Sequence, residues 1–448
     1  MRRYKGSKYN YFQTNDRGEL LIMNMRTEGK VKVTGEEAEA VKELLDNSVK
    51  EIDETKECYN QLIKKGMFVR EEEDEVKLLM LKQNEMIYGT DTLSVTIMPT
   101  NDCDFRCSYC YENHMEDYMD EETEERVLLF LGKKIARCKQ LRLGWFGGEA
   151  LLCKERVLRM SKKINEMCRR YRVPIYGEIS TNGYNLDVDT FKELVRNHIT
   201  EFQICIDGPK QCHNQTRPHC TDKDSYTRII ENLKNIRDNV KMGMFKIALR
   251  TNITPGVRPY LDEHIEEMKR LFGDDHRFML SFQCVRDWGG DNIQQDMIVD
   301  DERTEYIDTY KTVNEVGMSS AGKLSFAPIV GNCTACRKNG YLIDFKGELH
   351  KCSLAYHNKE HRDVDTIGYI NEMGDEVVDE SKLATWIVNN DDISKGCYDC
   401  VLFPYCMGGH CPYSRNITKT KTCNKYILSN VSEHVVEQDK EGKIPYWN

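Results

Sequence analysis

The chain has 448 residues, a formal net charge of −10, and 40% hydrophobic against 31% charged residues. This composition is typical of an ordinary soluble globular protein of roughly three domains. No long basic run is present, which argues against nucleic acid as a partner, because phosphate binding needs clustered Lys and Arg. The chain shows no signal peptide and no apolar stretch near the ~20 residues that span a bilayer, so we expect a cytoplasmic protein without a membrane partner.

The first 88 residues predict a small α+β domain. Two strands flank the turn signal NDRG, KVKVTG is a third strand, and three amphipathic helices follow. We expect the first helix to open with a capping box formed by Thr34 and Glu37. Three strands with three helices predict a winged-helix-like shape. The acidic run at 71–75 argues against DNA, and we expect an exposed edge strand to capture an extended peptide instead.

From residue 92 the pattern alternates between strand and helix up to about residue 285. Six strands are predicted at LSVTIMPT, QLRLGWFGGE, IYGEISTNG, EFQICIDG, FKIALRTNI and RFMLSFQCV. Repeated β-α units imply a parallel sheet whose right-handed crossovers curl it into a barrel or part of one. Ligands of such sheets lie at the C-terminal ends of the strands, where the polar clusters of this chain fall. Beyond residue 286 the chain becomes polar and turn-rich.

The cysteine content is high, at nineteen residues. In a reducing compartment metal ligation is a better explanation than disulfides. Eight cysteines are scattered, and we expect them to be buried or inert thiols: Cys58, Cys138, Cys153, Cys168, Cys205, Cys212, Cys220 and Cys284. The other eleven form two groups: Cys103, Cys107 and Cys110, and then Cys333, Cys336, Cys352, Cys397, Cys400, Cys406, Cys411 and Cys423.

The first group, in NDCDFRCSYCYEN, leaves one position of a metal centre open, because a closed zinc or ferredoxin-type site uses four ligands. A zinc site completed by His114 is the alternative. Cys-x3-Cys-x2-Cys after a first strand, with Tyr109 before the last cysteine, resembles the signature of the radical S-adenosylmethionine (SAM) superfamily. The resemblance implies a 4Fe–4S cluster on these three cysteines, whose fourth iron binds SAM.

Later strand ends carry the companion motifs of that family. WFGGEALL resembles its Gly-Gly-Glu motif, STNGY its next motif, and CIDGPKQCHNQTRPH its Asp-Gly…His…Arg pattern, while LRTNI places Arg250 and Asn252 at another strand end. The resemblance implies that Glu149 receives the SAM amino group and that Arg217 pairs with its carboxylate. His213 is expected to support its loop. The implied SAM-contacting residues are Tyr109, Gly147, Gly148, Glu149, Ser180, Asn182, Asp207, Arg217 and Arg250.

The second cysteine group resembles the SPASM extension of the superfamily, with Gly347 five residues before Cys352. The last gap is one residue longer than the family pattern, which leaves His410 as an alternative to Cys411. The resemblance implies two auxiliary 4Fe–4S clusters, hence three in all. One would use Cys333, Cys352 and Cys411 with Cys336 as a possible fourth ligand; the other would use Cys397, Cys400, Cys406 and Cys423. Structural zinc is the alternative for both.

Together these patterns predict four parts: a leader-peptide recognition domain at 1–88, a partial (β/α)6 TIM-like barrel at 89–285, a bridging segment at 286–329 and a SPASM domain at 330–448. The resemblance implies an enzyme that forms a thioether cross-link in a ribosomally synthesised precursor peptide, with flavodoxin or ferredoxin as electron donor. Alternatives are a carbon–carbon cross-linking or oxidising enzyme, including the sulfatase-maturing type, and a zinc-stabilised peptide-binding module.

Overall fold

The computed structural model describes residues 2–241, 243–286, 309, 312–313, 315–319, 333–388, 395–409, 411–420, 423 and 427–447. His410 and most of the predicted bridging segment 286–329 therefore lie outside the described residues. Two compact units are present. The first contains residues 2–88, 333–336 and the described part of 387–447, and the second contains the described part of 89–319 together with 337–386.

The front of the chain, in the first unit, forms two small antiparallel sheets and three helices. The hairpin and third strand predicted from the sequence are confirmed in the sheet β2–β3–β4, and a second sheet has the order β5–β1–β6. The elements are β1 (Arg2–Gly6), β2 (Asn10–Thr14), β3 (Leu20–Asn24), β4 (Lys30–Val33), α1 (Ala38–Leu44), β5 (Lys50–Ile52), α2 (Glu57–Lys64), β6 (Phe68–Arg70) and α3 (Glu75–Tyr88).

The predicted capping box of α1 is wrong. The helix begins at Ala38, after Glu37, and the Glu37 side chain makes no capping hydrogen bond. The Thr34 hydroxyl instead donates to the Glu37 carboxylate at 2.7 Å. The Glu37 amide donates to the Thr34 carbonyl at 3.1 Å, which makes a turn before the helix. Because the Thr34 and Glu37 side chains are hydrogen-bonded to each other, they do not cap the first amides of the helix.

The second unit is built on six parallel strands in chain order, as the sequence predicted. Each strand pairs with the next one along the chain, so that the sheet runs β12–β11–β10–β9–β8–β7. The alternation of burial along β12 fits a sheet with helices against it. The strands are β7 (Thr92–Ile97), β8 (Gln140–Trp145), β9 (Ile175–Thr181), β10 (Ile199–Cys205), β11 (Lys246–Ile253) and β12 (Phe278–Cys284).

Helices connect these strands. The Asp120 side chain caps α4 by accepting from the Thr123 amide, and Asp187 and Asp224 cap α6 and α8 in the same way. The helices are α4 (Glu121–Ile135), α5 (Lys154–Tyr171), α6 (Val188–Arg196), α7 (Lys210–Thr216), α8 (Ser225–Asn239) and α9 (Leu261–Phe272). The predicted α/β alternation is confirmed, while closure into a partial barrel stays a prediction.

The sheet continues beyond β7 with strands from the cysteine-rich part of the chain, which the sequence did not predict. The first of them pairs in parallel with β7, and the next three pair antiparallel to give a ten-stranded sheet. The elements are β13 (Gly340–Ile343), β14 (Glu348–His350), α10 (Ser353–His357), α11 (Arg362–Asp365), β15 (Gly368–Ile370), β16 (Glu376–Val378) and α12 (Glu380–Ile387).

The chain then returns to the first unit, where it adds α13 (Lys395–Tyr398), α14 (Phe403–Cys406) and α15 (Ile427–Lys440). One buried cluster combines Tyr9, Leu21 and Met23 of the front part with Phe403 and Val431 of this part. The two parts therefore share a hydrophobic core. Among the described residues, no helix has the length and apolar character needed to cross a membrane.

Candidate functional site

The three-cysteine loop follows β7, at the carboxyl end of the parallel sheet. The Cys110 amide donates to the Cys107 carbonyl at 3.1 Å, which makes a tight turn between these two cysteines. Cys107 also interacts electrostatically with both Cys103 and Cys110. Burial raises the pKa of the Cys107 thiol to about 11, although Arg217 opposes the shift. Three thiols lie close together here, and burial makes them costly to ionise unless a cation is bound. They therefore fit a metal cluster that has one position left for another ligand.

Asp104, which the sequence analysis did not single out, fixes this loop to the end of β9. The side-chain amides of Asn182 and Asn185 donate to its two carboxylate oxygens at 2.7 and 3.0 Å. The Cys220 amide donates to the Asp104 carbonyl at 2.8 Å. Asn182, an implied SAM contact, thus holds the cysteine loop in this structure.

The end of α7 and the segment after it lie along the same loop. The Arg106 and Ser108 amides donate to the carbonyls of Pro218 and Thr216 at 2.9 and 3.0 Å. Phe105 is fully buried, and its ring lies edge-on to the His219 ring with centroids 5.1 Å apart. Because these contacts join segments more than a hundred residues apart, no local sequence signal predicts them.

The Gly147–Gly148 pair lets the end of β8 approach the backbone of the cysteine loop. A Cβ on Gly147, whose φ is +117°, would lie 2.4 Å from the Thr100 carbonyl oxygen. A Cβ on Gly148 would lie 2.2 Å from the carbonyl oxygen of Asp102. The next amide, of Glu149, donates to the same Asp102 carbonyl at 2.8 Å. The glycines are needed for this close approach.

Glu149 is buried between the ends of β8 and β9. One carboxylate oxygen accepts from the Leu151 amide and the Thr181 hydroxyl, both at 2.8 Å, and the other accepts from the Asn182 amide at 2.6 Å. Burial raises the pKa of Glu149 to about 7, against these hydrogen bonds. A carboxylate has about four acceptor positions, and three are used here, so one remains for a donor such as an amino group.

The hydroxyl of Tyr109 is the centre of a buried polar network. It donates to the Asp207 carboxylate, and it accepts from Arg217 Nη1 at 2.7 Å and from Asn252 Nδ2 at 2.9 Å. The backbone amide of Asn252 also donates to the Asp207 carboxylate, at 2.8 Å. The Asp207 amide donates to His213 Nδ1 at 3.3 Å, so that the histidine supports the loop, as expected.

Arg217 keeps a free donor in this network. Its guanidinium lies 4.0 Å from the Asp207 carboxylate, and its side chain is only 8% exposed. Its Nε is buried and has no hydrogen-bond acceptor. A buried cationic donor without an acceptor suits a ligand carboxylate, as the implied SAM contact requires.

Ser180 and Arg250 lie further along the strand ends and meet through Gln203. The Gln203 amide donates to the Ser180 hydroxyl at 3.4 Å, and Arg250 Nη1 donates to the Gln203 carbonyl oxygen at 3.5 Å. Arg250 Nε donates to the Asn252 side chain at 3.0 Å, which joins it to the Tyr109 network.

The second cysteine group is divided between the two units. Cys352 lies in the second unit and precedes α10, and its amide donates to Asp365 at 2.9 Å. In the first unit, the Cys336 amide donates to the Cys333 carbonyl at 3.1 Å. A hydrogen bond with Cys333 and burial both raise the pKa of Cys336, which also interacts electrostatically with Cys411.

Cys397, Cys400 and Cys406 lie close together in the first unit. The Cys400 amide donates to the Cys397 carbonyl at 3.1 Å, and Cys406 interacts electrostatically with both. Cys423 is exposed, and among the described residues no cysteine forms a disulfide. Grouped thiols without disulfides fit metal clusters. The ligand sets themselves stay predictions.

A buried polar network that the sequence analysis missed lies in the second unit. Asn101, beside the cysteine loop, donates to the Tyr356 hydroxyl at 2.9 Å, and this hydroxyl donates to Asp344 at 3.4 Å. His350 lies 3.6 Å from Asp344 and 3.4 Å from Asp365. Burial disfavours its charged form, but the two carboxylates outweigh burial and raise the pKa of His350 to about 9.

Comparisons with known proteins agree with this geometry. Residues 97–272 match the radical SAM superfamily. Over 350 residues the chain is 22% identical to a cysteine-type anaerobic sulfatase-maturating enzyme of Clostridium perfringens. The alignment covers 71% of this chain and 88% of that enzyme.

Two solved structures show a similar fold. The structure of anSMEcpe with bound AdoMet has a TM-score of 0.54 at 18% identity and covers 77% of this chain and 99% of that one. Streptococcus suis SuiB bound to its precursor peptide SuiA has a TM-score of 0.50 at 13% identity, with 91% and 95% covered. The chain therefore carries a radical SAM domain at residues 97–272 and is an enzyme.

Proposed function

We propose that the chain is a peptide maturase that forms a thioether cross-link in a ribosomally synthesised precursor peptide. The observation that carries the proposal is the grouping of its thiols. Three lie on one loop at the strand ends of the second unit, and further groups lie elsewhere in the chain. A loop with three thiols leaves room for a small-molecule ligand, while separate thiol groups suit clusters that accept an electron.

The residues around the cysteine loop would hold SAM. Arg217 offers its unpartnered Nε to the SAM carboxylate, and Tyr109 and Asp207 keep the guanidinium in place. Glu149 offers its remaining acceptor position to the amino group. Gly147 and Gly148 keep the loop close to these groups, because any side chain there would collide with it.

Cys103, Cys107 and Cys110 would hold a 4Fe–4S cluster, which with bound SAM would supply a 5′-deoxyadenosyl radical able to remove a hydrogen atom from a peptide carbon. Two auxiliary 4Fe–4S clusters would supply an acceptor for the surplus electron. Joining sulfur to carbon removes two hydrogens from the peptide, one as an atom and one as a proton. The electron that remains requires that acceptor. We propose flavodoxin or ferredoxin as the low-potential donor and the cytoplasm as the location.

A second candidate is oxidation of a single cysteine or serine side chain, as in sulfatase maturation. The relation to a sulfatase-maturating enzyme favours it. The front domain argues for the cross-linking reaction, because residues 2–88 form sheets with edge strands that suit capture of an extended leader peptide. Carbon–carbon cross-linking of the precursor is a further alternative, because it also joins two residues but uses no thiol.

The test incubates a cysteine-containing candidate precursor peptide anaerobically with reconstituted enzyme, SAM and reductant. We expect the peptide to lose two hydrogen atoms and 5′-deoxyadenosine to form. A variant with all three loop cysteines replaced by Ala should do neither, yet keep its auxiliary iron. Zinc without sulfide in the purified protein, or SAM cleavage by the triple variant, would contradict the proposal.

A further inference from the structure

One edge of the sheet β2–β3–β4 is occupied by another part of the same chain. The Lys32 amide donates to the Pro445 carbonyl at 2.9 Å, and the Trp447 amide donates to the Lys32 carbonyl at 2.8 Å. Tyr446 thus forms a parallel bridge with Lys32. Residues 445–447, which we call the placeholder segment, lie where an incoming strand would add to β4.

Side chains anchor the placeholder segment against the front part of the chain. The Trp447 indole donates to the Cys58 carbonyl at 2.8 Å, and its ring packs on the core under the sheet. The Lys32 ammonium lies 4.3 Å from the centre of the Tyr446 ring and 2.9 Å from Asp439. The Tyr446 hydroxyl donates to Glu19. The β4 edge therefore has two features that a bound strand could use. One is the position beside α2 that the Trp447 indole fills, and the other is the Lys32 ammonium, which packs against an aromatic ring.

The pairing uses only part of this edge. In an antiparallel pair, successive residues of a strand turn their backbone groups alternately towards and away from the partner strand. The Gly29 carbonyl accepts from the Asn24 amide and so points towards β3, which turns the backbone groups of Lys30 away from β3, as those of Lys32 are. In a continuing parallel ladder the amide of residue 445 would donate to the Lys30 carbonyl. Pro445 has no N–H, so the ladder stops at Lys32. Among the described residues, the Lys30 backbone has no strand partner on this side.

We propose that the β4 edge, formed by Lys30 and Lys32, is the precursor-binding edge of this enzyme, and that the placeholder segment is an internal competitor that the precursor displaces. The partner is an extended segment of the precursor, parallel to β4, with an aromatic side chain for the position that the Trp447 indole fills. This inference rests on the proposed function. A precursor strand without proline at the position of Pro445 can bond both lysine residues and so outcompetes the shorter pairing.

Affinity for the same candidate precursor peptide, labelled with fluorescein, is measured by anisotropy on four proteins: the parent protein and three variants, each checked for folding by thermal melting. Deletion of residues 445–448 should tighten binding about tenfold, because competition is lost. Pro445→Ala should weaken binding, because the placeholder gains a hydrogen bond. Trp447→Phe keeps a packed ring and loses the bond to the Cys58 carbonyl, so the placeholder segment competes less well and binding should tighten, though by less than in the deletion variant.

A synthetic peptide of residues 441–448, EGKIPYWN, serves as a second probe. It should bind the deletion variant and displace the precursor from it, and its Pro-to-Ala version should bind more tightly. Unchanged precursor affinity in both the deletion and Pro445→Ala proteins would overturn the inference, and so would weaker binding after deletion. The proposed function is tested separately, by the loss of two hydrogen atoms from the precursor. If that loss still occurs, either binding result overturns only the inference about the β4 edge and leaves the proposed function in place.

Discussion

At the residue scale, Tyr109 shows how much a motif position leaves unstated. The family resemblance predicts an aromatic ring before the last loop cysteine, whereas the structure shows that the hydroxyl is what connects the loop to the ends of β10 and β11. Arg217 and Asn252 donate to it, and it donates to Asp207. A phenylalanine would keep the ring but remove the acceptor of Arg217 Nη1 and one of the two acceptors of Asn252 Nδ2, which also donates to Asp207 at 3.3 Å.

Tyr109→Phe should therefore lower the free energy of unfolding by about 1–3 kcal/mol, as expected for buried unsatisfied donors. Urea denaturation measures the change. Tyr118→Phe is the matched control on the same loop, because Tyr118 is 47% exposed and its loss should cost little. Equal losses in the two variants would show that the Tyr109 hydroxyl is not structurally special.

His264 provides a pH test away from the cysteines. It is fully buried on α9, with its Nε2 2.9 Å from the Thr251 hydroxyl, and burial lowers the pKa of His264 from 6.5 to about 4. The folded state favours the neutral ring, so this stabilising contribution is present above pH 6.5 and is lost as the pH falls towards 4. Between about pH 7 and about pH 5 the loss should be about 2 kcal/mol.

His264→Gln keeps a polar group near Thr251 and does not titrate. Urea denaturation at the two pH values should therefore show a smaller drop in stability for the variant than for the parent protein. An identical drop in both proteins would place the acid sensitivity elsewhere.

At the element scale, the carboxyl ends of β7, β8 and β9 are held together through the cysteine loop. The sequence predicted all six parallel strands because each is a short apolar run between helices of clear periodicity. It did not predict the role of Asp104, because the partners Asn182 and Asn185 lie about eighty residues away in the chain. Strands β13–β16 were missed for a related reason. They are only three or four residues long, and β13 is ordered by pairing with β7.

Gly148→Ala tests the close approach of β8 to the loop. The new Cβ would meet backbone carbonyl oxygens of Asp102 and Asn101 at 2.2 and 2.6 Å, so the loop must move. We expect SAM-dependent 5′-deoxyadenosine formation to fall at least about tenfold, because small displacements of reacting groups are costly.

Gly132→Ala is the control for this change. Gly132 lies inside α4, and its new Cβ would meet nothing closer than Met167 Sδ at 3.7 Å. That variant should be as active as the parent protein and more stable by about 0.5–1 kcal/mol, because alanine favours helix. Full activity in Gly148→Ala would contradict the proposed role of the glycine pair.

At the scale of the whole molecule, the order of the chain is a poor guide to its compact units. The sequence predicted one SPASM domain at 330–448, but residues 337–386 group with the parallel sheet and the described part of 387–447 groups with the front domain. Long-range strand pairing and a shared core decide this grouping, and neither leaves a local signal in the sequence. The four functional domains stay a prediction.

The shared core means that deletion of residues 2–88 would expose Leu402 and Phe403. Phe403→Ala is a gentler test, and it should lower the free energy of unfolding by about 3–5 kcal/mol. Because Phe403 packs with Tyr9 and Leu21, amide hydrogen exchange in β3 should accelerate as well. Leu129→Ala, at a side chain that is 52% exposed in the second unit, is the control. Unchanged exchange in β3 would contradict a common core.

Thioether formation is tested most directly by incubating the precursor with enzyme, SAM and reductant, alkylating its remaining thiols and analysing it by tandem mass spectrometry. We expect a product that has lost two hydrogen atoms and one alkylatable thiol while keeping every sulfur atom, with fragments missing between the two linked residues. A product with the same mass loss and all thiols alkylated would indicate a carbon–carbon link. A product that has lost sulfur, or an aldehyde at a serine position, would indicate the sulfatase-maturing reaction, and either result would contradict thioether formation.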